Sequence, residues 1–114
     1  MDVIVTEIEQ IAVVELPGEK LDAGNAKECK DVLHPIVDQH SRIVLDLSQL
    51  EFVDSSGLGV LLSCLRRQTG AEGSLLLCGL ARPVRALFEL VRMHRVFDIY
   101  NTREEAVGAL KSGT

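Results

Sequence analysis

Tryptophan is absent from this chain, tyrosine occurs once and phenylalanine three times. So few rings leave little from which to build a stacking platform for single-stranded bases. A positive balance is missing too: 12 Lys and Arg stand against 17 Asp and Glu, a net charge of −5. Phosphate backbones favour cationic surfaces, so nucleic acid is not the expected partner. Cysteine is scarce and odd in number, at Cys29, Cys64 and Cys78, with no C-x-x-C pair. His34, His40 and His94 form no H-E-x-x-H or related cluster. Neither a disulfide framework nor a metal site is expected. Cys64 and Cys78, each inside an apolar run, read as packed, reduced thiols of a reducing compartment. No apolar stretch approaches the ~20 residues that cross a bilayer. The opening MDVIVTEIEQ also lacks the cationic-then-apolar order of a secretory signal. The expected location is the cytoplasm, with no membrane engagement.

What is present suits one folded domain spanning residues 1–114, with 46% hydrophobic and 25% charged residues. Two β-branched runs, VIVTEI at 3–8 and IAVVEL at 11–16, are parted by Glu9-Gln10 and predict a hairpin closed off by Pro17-Gly18. Asp22 is the expected N-cap of a first helix. Ala26, Cys29, Leu33, Ile36 and Val37 form its apolar stripe, and Pro35 should kink it or end it early. RIVLDL at 42–47 reads as a central strand covered on both faces.

A second helix is expected from about Gly57 to Thr69. Leu58, Leu61, Leu62 and Leu65 would face the core, and Gly59, Ser63 and Arg66 would face outward. SLLLC at 74–78 is a further buried strand. Pro83 opens a third helix with the stripe Val84, Leu87, Phe88 and Val91. Arg82, Arg85, Arg92 and Arg95 read as its solvated edge. Val96–Tyr100 is a short strand. Thr102 and Glu105 make a capping box for a last helix that buries Ala106, Val107 and Leu110. The order β-β-α-β-α-β-α-β-α predicts an α/β fold with a mixed, mostly parallel sheet covered by about four helices.

The segment that bears on function is DLSQLEFVDSSGLG at 46–59, which leaves a strand and enters a helix through Asp54-Ser55-Ser56-Gly57. Helix starts favour negative charge, and a phosphate attached there is partly stabilised, although Asp54 would oppose it. Spacing alone leaves two readings open. Ser55 or Ser56 is a plain N-cap beside a decorative Asp54, or Gly57 and Gly59 keep the surface around the serines bare for a partner. No nucleophile elbow, Walker loop or G-x-G-x-x-G occurs, so neither enzymatic activity nor a cofactor is expected.

An apolar strand ending in D-L-S, then an apolar pair and D-S-S-G-L-G, resembles the signature of STAS domains, above all the bacterial anti-sigma factor antagonists. Leu21-Asp22-Ala23 resembles the family's second landmark, a G-x-L-D-type turn, with one extra residue between Gly18 and Leu21-Asp22. The likeness runs through the Phe97–Tyr100 strand and the last helix. It implies a STAS-like single domain that binds, when unphosphorylated, an anti-sigma factor that is also a serine kinase, and so frees a sigma factor. Ser55 would be the phosphoacceptor that breaks the complex, and a serine phosphatase would restore binding. Asp22, Asp54, Ser55, Ser56, Gly57, Gly59 and Ser63 are the implied contact residues. The alternative reading is an accessory subunit of a membrane transport complex, such as a lipid-transport ATPase.

Overall fold

The computed structural model describes residues 1–112. β1 (Ile4–Ile8) and β2 (Ile11–Glu15) form the expected antiparallel hairpin. Its two-residue turn places Glu9 and Gln10 at φ 49° and 69°, without help from glycine. Positive φ at both central residues is the type I′ geometry that matches the twist of the flanking strands. β2 then pairs in parallel with β4 (Arg42–Asp46), β4 with β6 (Ser74–Cys78), and β6 with β7 (Asp98–Tyr100). The sheet order is β1-β2-β4-β6-β7, so β4 is central, as its unbroken apolar run predicted.

Alternation along these strands feeds two cores. Ala12, Val14, Ile43, Leu45, Leu75 and Leu77 meet the helices α1 (Ala26–Gln39), α2 (Ser55–Gly70) and α3 (Arg82–Leu90) on one face. Ile11, Val13, Val44 and Leu76 meet α4 (Arg103–Ser112) on the other. The capping box of α4 forms as expected. The Thr102 N–H donates to Glu105 Oε1 and the Glu105 N–H to Thr102 Oγ1, both at 3.1 Å.

Several expectations are corrected. Pro35 does not end α1, which continues to Gln39. Pro35 is exposed, and buried Leu33 and Val37 on either side hold the last turn against the core. The Gln68 amide, itself buried, donates to the carbonyls of Val37 (2.8 Å) and His40 (2.5 Å), tying the end of α1 to α2. The deepest face of α2 is Gly57, Val60, Leu61, Cys64 and Gln68, whereas Leu58, Leu62 and Leu65 lie only half-buried beside it. α3 stops at Leu90, leaving Val91 exposed. Arg92 adopts a left-handed conformation and Arg95 sits in a separate 3-10 turn, Met93–Arg95, so only Arg82 and Arg85 edge the helix. Two short strands escaped the sequence reading: β3 (Lys20–Leu21) and β5 (Phe52–Val53), paired in parallel apart from the main sheet.

Candidate functional site

The β3–β5 pair draws together two landmarks that lie far apart in sequence. The N–H groups of Glu51 and Phe52 donate to the Glu19 carbonyl, and the Asp54 N–H donates to the Leu21 carbonyl at 3.2 Å. Beyond these bonds one chain turns at Asp22 and the other enters α2 at Asp54. Asp54 is the N-cap: its Oδ1 accepts from the Gly57 N–H at 3.0 Å. Its second oxygen, Oδ2, accepts from the Ala23 N–H at 3.1 Å. A single carboxylate thus caps one element and pins the other.

This geometry decides between the two open readings of the serines in part. Neither serine is the cap; Ser55 and Ser56 occupy the first two helical positions. Ser55 is exposed and Ser56 half-buried. Of the first-turn amides, that of Gly57 is taken by Asp54, and the helix start places partial positive charge beside Ser55.

Asp22 is likewise not the cap of α1. That helix begins at Ala26 after Asn25, and Asp22 instead heads a tight turn. Its Oδ1 accepts from the Gly24 N–H at 2.9 Å, and its own N–H donates to Asn25 Oδ1 at 3.0 Å. A short aspartate side chain closes such a turn on its own backbone, delaying the helix.

The two glycines divide. Gly57 is buried, and a Cβ there would stand 2.3 Å from the Leu21 carbonyl oxygen. The expectation that it bares a surface is therefore corrected: only glycine lets α2 approach β3 this closely. Gly59 is exposed, with nothing within 4 Å of a built Cβ. It lies with Ser56, Val60 and Ser63 along a shallow groove of about 320 Å³, whose other wall is Ala26, Lys27 and Lys30 of α1. Ser63 is half-buried; its hydroxyl donates to the Val60 carbonyl and contacts His34 Nε2, both at 2.8 Å. Burial, followed by the nearby charges of Arg67 and Lys30, lowers the pKa of His34.

Two features of this segment were not legible in the sequence. Phe52 on β5 is 52% exposed, an aromatic ring two residues before Asp54. Its period-two neighbours gave no strand signal, and an exposed Phe in a loop was the only clue. Asp46, read as part of the motif, is structural: Oδ1 accepts from the Ser48 N–H at 2.9 Å and Oδ2 from Arg103 Nη2 at 2.7 Å. Among the described residues, no three His, Cys, Asp or Glu side chains gather as a metal site would.

A strand-to-helix turn that displays a serine, on a mixed sheet with helices on both faces, defines a STAS-type domain. A model of the STAS domain matches residues 2–106, and the chain belongs to that family. Among its relatives, a Paenibacillus polymyxa anti-sigma F factor antagonist is 33% identical over 103 residues, spanning 89% of this chain and 87% of that protein. BtrV of Bordetella bronchiseptica, named as a candidate anti-sigma factor antagonist, is 32% identical over 113 residues, 98% of this chain and 97% of the relative. The solved STAS-domain protein of Planctomyces limnophilus superposes with a TM-score of 0.90 at 22% identity, covering 98% of this chain and 100% of that one. Among the described residues no helix is long and apolar enough to cross a membrane.

Proposed function

We propose that this anti-sigma factor antagonist, in its unphosphorylated form, binds an anti-sigma factor serine kinase in the cytoplasm and thereby frees a sigma factor. Phosphorylation of Ser55 ends the binding, and a serine phosphatase restores it. The observation that carries this reading is the exposed hydroxyl of Ser55 in the first turn of α2, behind an Asp54 carboxylate that already accepts two backbone bonds. Those bonds draw the Asp54 charge toward the Ala23 and Gly57 amides, and the helix start favours an added anion. The fold therefore tolerates a phosphate that adds about −1.5 to −2 charges. A closely packed partner does not, since like-charge contact costs several kcal/mol. Asp22, Ser56, Gly59 and Ser63 extend the same surface. Gly57 supports it from beneath, and the chain itself performs no catalysis.

The test is incubation with a cognate anti-sigma kinase and ATP, followed by phosphate mapping and binding measurements on two variants. Ser55→Ala should bind as wild type and take no phosphate. Ser55→Asp should fold normally and bind at least about a hundredfold more weakly, equivalent to ~2.7 kcal/mol. Phosphate found at Ser56 alone, or equal binding by the two variants, would overturn the assignment. Capture of a transporter ATPase in place of the kinase would point to the accessory-subunit alternative.

A further inference from the structure

A second surface lies at the far end of α2. Leu62 and Leu65 face Met93 and Val96 across a largely apolar groove of about 610 Å³. Leu62, Leu65 and Met93 back onto the main core, while Val96 is 48% exposed. Leu90 and Val91, just before this wall, are 80% and 40% exposed. Exposed apolar side chains gathered along one groove and the segment beside it are the mark of an interaction site.

The chemistry of its surroundings selects the occupant. Arg66 lines the groove, and Arg92 and Arg95 flank Met93 in the chain. All three are exposed, and among the described residues none forms an ion pair with a carboxylate. In a chain of net charge −5, one lining arginine and two more in the segment that carries Met93 and Val96, none ion-paired among the described residues, outnumber the acidic Glu89 and Asp98 of that segment and leave an excess of positive charge there. The walls also exclude one binding mode. The backbone N–H groups of Arg95, Val96 and Phe97 are already bonded to Arg92 and Met93 carbonyls, so this wall of the groove offers no strand edge for an extended peptide to join. The occupant must satisfy its own backbone, which a helix does. We propose that this groove docks an acidic amphipathic helix of a partner protein, with aliphatic anchors between α2 and Met93–Val96 and carboxylates against Arg66, Arg92 and Arg95.

The proposal is independent of Ser55 and is tested without kinase or ATP. The probe is a synthetic helical peptide of about 18 residues, with leucines at i, i+3, i+4 and i+7 and glutamates on both flanks. Binding to the intact chain is followed by backbone and methyl chemical shifts. Saturable binding should perturb Leu62, Leu65, Met93 and Val96 and leave Ser55 unmoved. Val96→Asp and Arg66→Glu, both at exposed positions, should each weaken it about tenfold, or 1.4 kcal/mol. A lysine-flanked version of the peptide should fail on wild type and gain affinity on Arg66→Glu. Equal binding of the acidic and basic peptides, shifts centred elsewhere, or no saturation at millimolar peptide would each overturn the proposal. So would self-association of the chain that Val96→Asp abolishes, because the occupant would then be a second copy.

Discussion

Gly57 rests directly on the backbone of Leu21, so close that a Cβ would lie 2.3 Å from the Leu21 carbonyl oxygen and 2.9 Å from its Cγ. The same carbonyl accepts from the Asp54 N–H, which makes it the point where β3, β5 and α2 converge. Gly57→Ala must push these elements apart and should destabilise the fold by about 1–3 kcal/mol. Gly59→Ala, two residues on in the same helix but facing open space, should stabilise it by about 0.5–1 kcal/mol. Urea midpoints of the two variants check the contrast, and shifts of the same sign would contradict the packing described.

Gly59→Arg tests the outer face. The position is exposed and unobstructed, so the variant should unfold at the wild-type midpoint or slightly above it. The long side chain would stand over the groove between α1 and α2. Affinity for an anti-sigma kinase should fall at least about tenfold, or 1.4 kcal/mol. Unchanged affinity in a binding titration would place the interface elsewhere.

In the proposed complex Phe52, half-exposed three residues before Ser55, would serve as an aromatic anchor for the kinase. Exposed rings at the centre of an interface often dominate its energy. Phe52→Ala should weaken kinase binding by about 2 kcal/mol, some thirtyfold, while Phe52→Tyr should retain most of it. Calorimetric titration of the two variants separates an anchor from an incidental surface ring.

Arg103 holds together two acidic strand ends, reaching Glu15 at 3.0 Å and Asp46 at 2.7 Å. Burial pushes the Asp46 carboxyl up, but Arg103 and Ser48 pull it further down, leaving it below its ordinary value. A carboxylate depressed on folding adds stability that is complete above its unfolded value, about 3.9, and is lost as pH falls through the lower folded value. Arg103→Ala should therefore cost about 2 kcal/mol at pH 7, and the gap from wild type should narrow in strong acid. Chemical denaturation across pH 2 to 7 measures both; a gap that stays constant with pH would show the loss to be one of packing alone.

Burial raises the Cys29 thiol to about 11 and the Cys64 and Cys78 thiols to about 12. All three are free and buried, so almost no thiolate is present at neutral pH. A disulfide reagent should label the native protein slowly and the urea-unfolded protein at once. Rapid labelling of native Cys64 would mean that α2 is turned differently.

Local signals carried the parts of this fold that were legible in the sequence. The hairpin, the buried β4 and β6, and the Thr102–Glu105 box each depend on residues within a few positions of one another. What escaped detection is non-local. β3 and β5 are two residues each, too short for any periodicity, and exist because distant loops meet. The Arg103–Asp46 bond spans 57 positions, and nothing near Asp46 in RIVLDL names its cationic partner. The α2 stripe was misjudged because four leucines outweighed a glycine and a glutamine. Gly57 and Gln68 are innermost for reasons of close approach and helix capping that hydrophobicity does not report.

The double engagement of Asp54 has a kinetic consequence. With its carboxylate fastened to both Ala23 and Gly57, the backbone around Ser55 is held in one shape before any partner arrives. Association then involves no folding step and should proceed at the ordinary docking rate of about 10⁵–10⁷ M⁻¹s⁻¹. In the proposed complex, a mark placed on Ser55 would then act mainly on residence time: the partner would still arrive, but it would leave sooner.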